Sequence, residues 1–207
     1  HSCICIWLPD YYRCGCFLIY GNIEEVASGR YVKGMPSASA NLTKEENAVN
    51  MEKQPTSRTC FMCGRENDMG LHMTWHNDYE AQQIKAEVTV AEHFNGYPGV
   101  VHGGIVAAIL DETSGRALML NREFDDMFIT TKLEVRYHRP TPTGQPLTVT
   151  GWIIKRYSRF ARVGADIRLT DGTLCAECEA SVARPPRKFT EMSGWDREKQ
   201  YWRVDKE

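Results

Sequence analysis

One stretch of this chain differs from everything around it. Residues 105–120, IVAAILDETSGRALML, carry no proline and no strand alternation. Their opening IVAAIL is apolar nearly all round, so the segment reads as a helix buried by its neighbours. The flanking segments alternate with a period of two instead. LHMTWHN (71–77) and QIKAEVTVA (83–91) precede the helix, and FITTKLEVRYHR (128–139), PLTVTGWIIKRY (146–157), RFARVGADIRL (159–169) and TLCAECEASVA (173–183) follow it. Pro140, Pro142, Gly144 and the Asp171-Gly172 pair mark tight turns between the later strands. Consecutive strands on short turns pair antiparallel. One buried helix on one face of such a sheet is an α+β two-layer arrangement. A single long helix held against a curved antiparallel sheet is the hot-dog fold, which is the expected architecture.

Strand alternation also assigns faces. Leu133, Val135 and Tyr137 share one face of their strand, and Ala161, Val163, Ala165, Ile167 and Leu169 share one face of another. In the last strand Ala176, Cys178, Ala180 and Val182 fall together.

Composition narrows the function class. A net charge of −2 over 207 residues argues against a nucleic-acid binder. No run reaches the length of apolar sequence that a membrane-spanning helix needs. Residues 1–58 are expected to be a leader and linker, poorly ordered or left over from cloning. HSCICIWLPDYYRCGCFLIYG is broken by Pro9, Asp10 and Arg13, unlike the apolar core of a secretory signal, and Met35 or Met51 is a candidate start. The globular domain is expected over 59–186, and 187–207 reads as a charged tail with two tryptophans, a loose helix or a partner contact.

Half of the eight cysteines lie in the leader. The other four suit a reducing cytoplasm. Two Cys-x-x-Cys pairs, Cys60/Cys63 and Cys175/Cys178, raise the question of a zinc site. Cys175 and Cys178 point to opposite faces of a strand, so they cannot close on one metal without a bulge. No metal and no cofactor are expected.

The chemistry concentrates at 97–112, YPGVVHGGIVAAILDE. A helix N-terminus carries unpaired N–H groups and a favourable dipole for developing negative charge. Gly103 and Gly104 begin this helix and let a substrate approach the backbone closely. Asp111 lies two turns in, with Ala107, Ala108, Ser114 and Gly115 beside it, all small. Burial there would raise its pKa and make it a better base. Glu112, one position on, is rotated by roughly 100° and stands four residues before Arg116, which suggests an exposed ion pair on the surface.

FNGYPGVVHGGIVAAILDE, with TTKLEVRYHRP downstream and CFMCGRENDMGL upstream, resembles the hot-dog acyl-CoA thioesterases of the phenylacetate-pathway (PaaI-like) type, over roughly 59–186. The resemblance implies hydrolysis of an acyl-CoA thioester to acid and CoA. It implies that Gly103 N–H polarises the carbonyl and that Asp111 is general base or nucleophile. Thr130 then sits where some members carry a hydroxyl that positions the attacking water. His102 is a candidate for orienting the loop or polarising the carbonyl. Some relatives carry Asn six residues before that His; here the position is Gly96, and Asn95 is one step off. Gly104, Asn95, Arg136 and Arg159 are candidate substrate contacts, the arginines because guanidinium groups suit the phosphates of CoA. The resemblance also implies a homodimer or dimer of dimers whose active site draws on both chains. A non-catalytic acyl-CoA-binding scaffold on the same fold is the alternative. A hydratase is disfavoured, because the helix shows no acid paired with a suitably spaced His.

Overall fold

The computed structural model describes residues 51–121, 128–192 and 194–204. Nine strands are formed there: β1 (Met51–Lys53), β2 (His76–Asp78), β3 (Gln83–Thr89), β4 (Asn95–Tyr97), β5 (Val100–Val101), β6 (Ile129–Tyr137), β7 (Pro146–Arg156), β8 (Phe160–Leu169) and β9 (Leu174–Ala183). Helix α1 (Gly103–Arg116) continues into a 3-10 turn at Ala117–Asn121, and α2 (Arg187–Met192) and α3 (Trp195–Glu198) follow the last strand. Seven strands make one antiparallel sheet in the order β1-β2-β3-β7-β8-β9-β6, while β4 and β5 pair separately. The long helix lies against β6 to β9. This is the α+β hot-dog arrangement.

The register explains how the helix fits. Directly opposed residues in an antiparallel sheet point to the same face. Ile84 faces Gly151, Gly151 faces Ala165, Ala165 faces Cys178 and Cys178 faces Val135, which makes one row across five strands. The middle of that row is small. A methyl group added at Gly151 would meet the Thr113 carbonyl oxygen at 2.6 Å, so the helix backbone rests almost on the sheet there. Cys178 Sγ lies 3.7 Å from the Leu110 carbonyl oxygen in the same layer. Val106, Ile109, Leu110 and Thr113 on the helix are buried against this floor. Ile109 and Leu110 are fully enclosed, each contributing about 1.5–3 kcal/mol by leaving water. Trp75 is also fully buried, and its Nε1 donates to Thr113 Oγ1 at 3.0 Å.

The structure departs from the sequence reading at the edges. Of the strand expected at 71–77 only His76 and Asn77 join the sheet, within β2 (His76–Asp78). Upstream, Leu71 N and Met73 N donate instead to Phe61 O and Met62 O, which draws that backbone away. The loop expected at 92–104 contains the short β4–β5 pair. The boundary expected at residue 59 falls inside the folded unit. β1 pairs with β2, and fully buried Gln54 donates to Asn77 Oδ1 at 2.7 Å and to the Arg116 carbonyl at 3.2 Å. The tail returns to the same place: Thr56 and Arg203 exchange backbone hydrogen bonds of 2.9 and 3.2 Å. Of the leader and linker expected at 1–58, residues 1–50 lie outside the described residues. Among the described residues, no helix is long and apolar enough to cross a membrane.

Candidate active site

Glycines 103 and 104 open α1, and His102 caps it. His102 has extended backbone (φ −56°, ψ 133°), and its Nδ1 accepts from Gly104 N at 2.9 Å. An accepting Nδ1 places the proton of the neutral ring on Nε2. The His102 carbonyl accepts from Ile105 N at 2.9 Å and Val106 N at 3.1 Å. One residue therefore satisfies three of the first-turn donors. Gly103 N–H is left without an acceptor among the described residues. That is the donor geometry an oxyanion needs. Tyr137 on β6 holds the carbonyl of the same residue, with Oη donating to Gly103 O at 2.7 Å. Sequence reasoning put Tyr137 on one strand face with Leu133 and Val135 without giving it a role.

Asp111 meets Thr130. Thr130 Oγ1 donates to Asp111 Oδ1 at 2.8 Å. Burial pushes the Asp111 carboxyl above its ordinary value, the Thr130 hydrogen bond opposes the shift, and the Glu112 charge adds to it. Both residues line a cavity of about 240 Å³.

Glu112 and Arg116 do form an ion pair, Nε to Oε1 at 2.7 Å, but not the exposed one expected. Arg116 is only 3% exposed. Its guanidinium stacks 4.2 Å over Trp75 and donates to Pro55 O at 3.0 Å and Cys63 Sγ at 3.0 Å. Glu112 is thus an internal counter-ion, because Arg116 is covered by the segment at 54–63. The sulfurs of Cys60 and Cys63 and a Glu112 oxygen lie within 4.8 Å of one another. The hydrogen bond from Cys60, with Arg116 beside it, lowers the Cys63 thiol to about 6, and Cys60 is correspondingly raised. Arg116 contacts two members of this cluster, Glu112 Oε1 through Nε at 2.7 Å and Cys63 Sγ through Nη2 at 3.0 Å. Cys175 and Cys178 take no part in it; Cys178 packs under the helix.

The remaining candidates stand apart. Asn95 is exposed on β4 opposite Val101. Arg136 is exposed opposite Glu177, on the sheet face turned away from α1. Arg159 is exposed at the β7–β8 turn, where its carbonyl accepts from Arg184 N at 2.9 Å. Within one chain the structure joins His102, Gly103 and Gly104 at the start of the helix and Asp111 with Thr130 further along it. It brings neither arginine nor Asn95 to the carboxylate.

The thioesterase superfamily model matches residues 98–176, which span the β5–α1 start, the acid and most of the sheet. A protein of Saccharolobus solfataricus described as an esterase is 31% identical over 103 residues, covering 49% of this chain and 71% of that protein. This chain belongs to the thioesterase superfamily. Superfamily membership supports thioester hydrolysis as the reaction class. The acyl-coenzyme A thioesterase THEM4 of Rattus norvegicus is 26% identical, over 58% of this chain and 50% of its own length. A crystal structure of a thioesterase superfamily protein superposes with a TM-score of 0.55 at 32% identity, covering 60% of this chain and 62% of that one. The chain therefore spans half of the rat relative and under two thirds of the solved one.

Proposed function

We propose that this thioesterase hydrolyses acyl-CoA thioesters in the cytoplasm, with Asp111 as the base or nucleophile and Gly103 N–H as the carbonyl-polarising donor. The observation that carries the reading is the half-buried Asp111, raised by burial and held by Thr130 in a cavity. A carboxylate tuned upward by burial is a stronger base near neutral pH. Thr130 holds one oxygen of Asp111, which orients the other for a water or for the acyl carbon.

Gly103 and Asp111 do not serve the same substrate from one chain. At about 1.5 Å rise per residue, positions 103 and 111 lie roughly 12 Å apart along a continuous helix. A carbonyl polariser and its attacking group must converge within a few ångströms. A second copy, antiparallel across the helices, brings one chain's Gly103 to the other's Asp111. The working unit is therefore a homodimer or a dimer of dimers, with CoA in a cleft between protomers.

The catalytic order follows. The thioester oxygen accepts from Gly103 N–H. Asp111 takes a proton from water, which attacks the carbonyl carbon, or attacks directly and is released by water. The C–S bond breaks and CoA leaves as thiol. His102 serves by capping: it occupies Gly104 N–H and leaves Gly103 N–H for the oxyanion.

A panel of short, medium, long and aryl acyl-CoAs, followed by loss of thioester absorbance, tests this directly. Turnover by wild type that falls roughly 10²–10⁴-fold in Asp111→Asn supports it. Binding of acyl-CoA without turnover of any member would make the chain a scaffold instead.

A further inference from the structure

The cavity beside Asp111 has a wall that the family region does not supply. One part of its lining is polar: Asp111, Glu112, Arg116 and Thr130. The rest is apolar and includes Met119, Phe128, Trp195 and Trp202. The two tryptophans come from α3 and the segment after it, downstream of the matched residues 98–176. Their rings stand edge to face, with centroids 5.6 Å apart and planes at 70°.

This wall is anchored rather than draped. Arg58 pairs with Glu198 at 3.2 Å and lies 4.0 Å over the Tyr201 ring. Arg65 Nη2 donates to Tyr201 O at 2.6 Å, and Thr56 pairs with Arg203 through the backbone. The Arg116 guanidinium sits 5.5 Å from the Trp202 ring. Every anchor comes from the start of the folded unit or from α1, so wall and carboxylate are tied to one frame.

We propose that Trp195 and Trp202 close the acyl pocket and restrict this enzyme to compact apolar acyl groups. The proposal rests on the hydrolase reading above. Three observations support it. The tryptophans share one cavity with the proposed base. The apolar side of that cavity suits a hydrocarbon and not the phosphates of CoA. Its volume of about 240 Å³ falls below the roughly 300–1,000 Å³ typical of drug-sized ligands, which suits a small acyl group better than a long chain.

The test compares butanoyl-, octanoyl- and dodecanoyl-CoA with wild type, Trp195→Ala and Trp202→Ala. Hydrolysis gives kcat/KM, and calorimetry on the Asp111→Asn background gives affinity without turnover. Wild type should favour butanoyl over dodecanoyl. Each alanine variant should raise the dodecanoyl-to-butanoyl ratio by about tenfold or more, since removing a wall is worth at least the effect of one or two methylenes. Trp202→Leu and Trp195→Leu, which keep an apolar filler, provide the same reading if an alanine variant does not fold. An unchanged ratio in folded, active variants overturns the proposal. If no acyl-CoA is hydrolysed but the affinity ratio still shifts with the tryptophans, the pocket assignment stands and the hydrolase reading falls. Absence of both turnover and binding overturns both.

Discussion

Thr130 Oγ1 reaches Asp111 Oδ1 at 2.8 Å because strand β6 carries one residue too many. Leu133 faces Ala180 and Val135 faces Cys178, both on the helix side. Unbroken alternation would put Thr131 and Ile129 on that side and Thr130 on the other. The register shifts between Thr130 and Lys132, so Thr130 comes to face Val182. The displaced Thr131 turns its hydroxyl to the Ser181 carbonyl at 3.0 Å. Bulges that re-aim a side chain are frequent beside active sites.

The Thr130 hydrogen bond lowers the Asp111 carboxyl against the upward push of burial. Thr130→Val removes that opposition. The acid limb of the pH–rate profile should then move to higher pH, and kcat near neutral pH should fall, while Thr130→Ser keeps the limb in place. A pH series of kcat/KM on the three proteins decides this; identical limbs would remove Thr130 from the account.

Asp111 should cost the fold stability at neutral pH. Its folded pKa is raised above the unfolded value of 3.8. Between those two values the native state binds more protons, so stability falls as pH rises through that window and the loss persists above it. Asp111→Asn should therefore melt a few degrees higher at pH 7 while losing activity, with the difference shrinking below pH 4. Calorimetric melting at pH 7 and pH 3.5 checks it, and a variant less stable at pH 7 would contradict it.

Gly151 is a packing position with no chemistry. A methyl group there would meet Thr113 O at 2.6 Å, a backbone atom that cannot swing aside. Gly151→Ala should destabilise by about 1–3 kcal/mol, seen as a lower denaturant midpoint. Because the helix must lift, kcat should fall as well.

Much of this molecule was legible in the sequence, and the illegible parts share a cause. Period-two strands and one apolar helix are local patterns, and five of the six expected strands and the helix lie where those patterns put them. One helical step was expected to send Glu112 to the surface; the two acids do take different partners, but both line the same cavity. What local pattern could not show was long-range. The bulge that turns Thr130 to the helix side leaves no mark in ITTKLEV. Arg116 looked exposed because the residues covering it, Gln54 to Cys63, are about sixty positions away. Trp195 and Trp202 read as tail because only the closed fold brings them to the cavity.

The central claim is that each active site takes Gly103 from one chain and Asp111 from another. Gly103→Pro removes the donor while keeping the helix start: proline suits the first helical position and replaces the N–H with a ring carbon, and the extended backbone of His102 (ψ 133°) suits a residue before proline. Gly103→Pro and Asp111→Asn should each lose roughly 10²–10³-fold or more in kcat. The decisive measurement is acyl-CoA hydrolysis by the two inactive variants, unfolded and refolded together. Mixed dimers hold one intact site, so the account predicts that activity returns to about a quarter of wild type from statistical pairing. A mixture as inactive as its components, with mixed dimers confirmed by mass spectrometry, would contradict it.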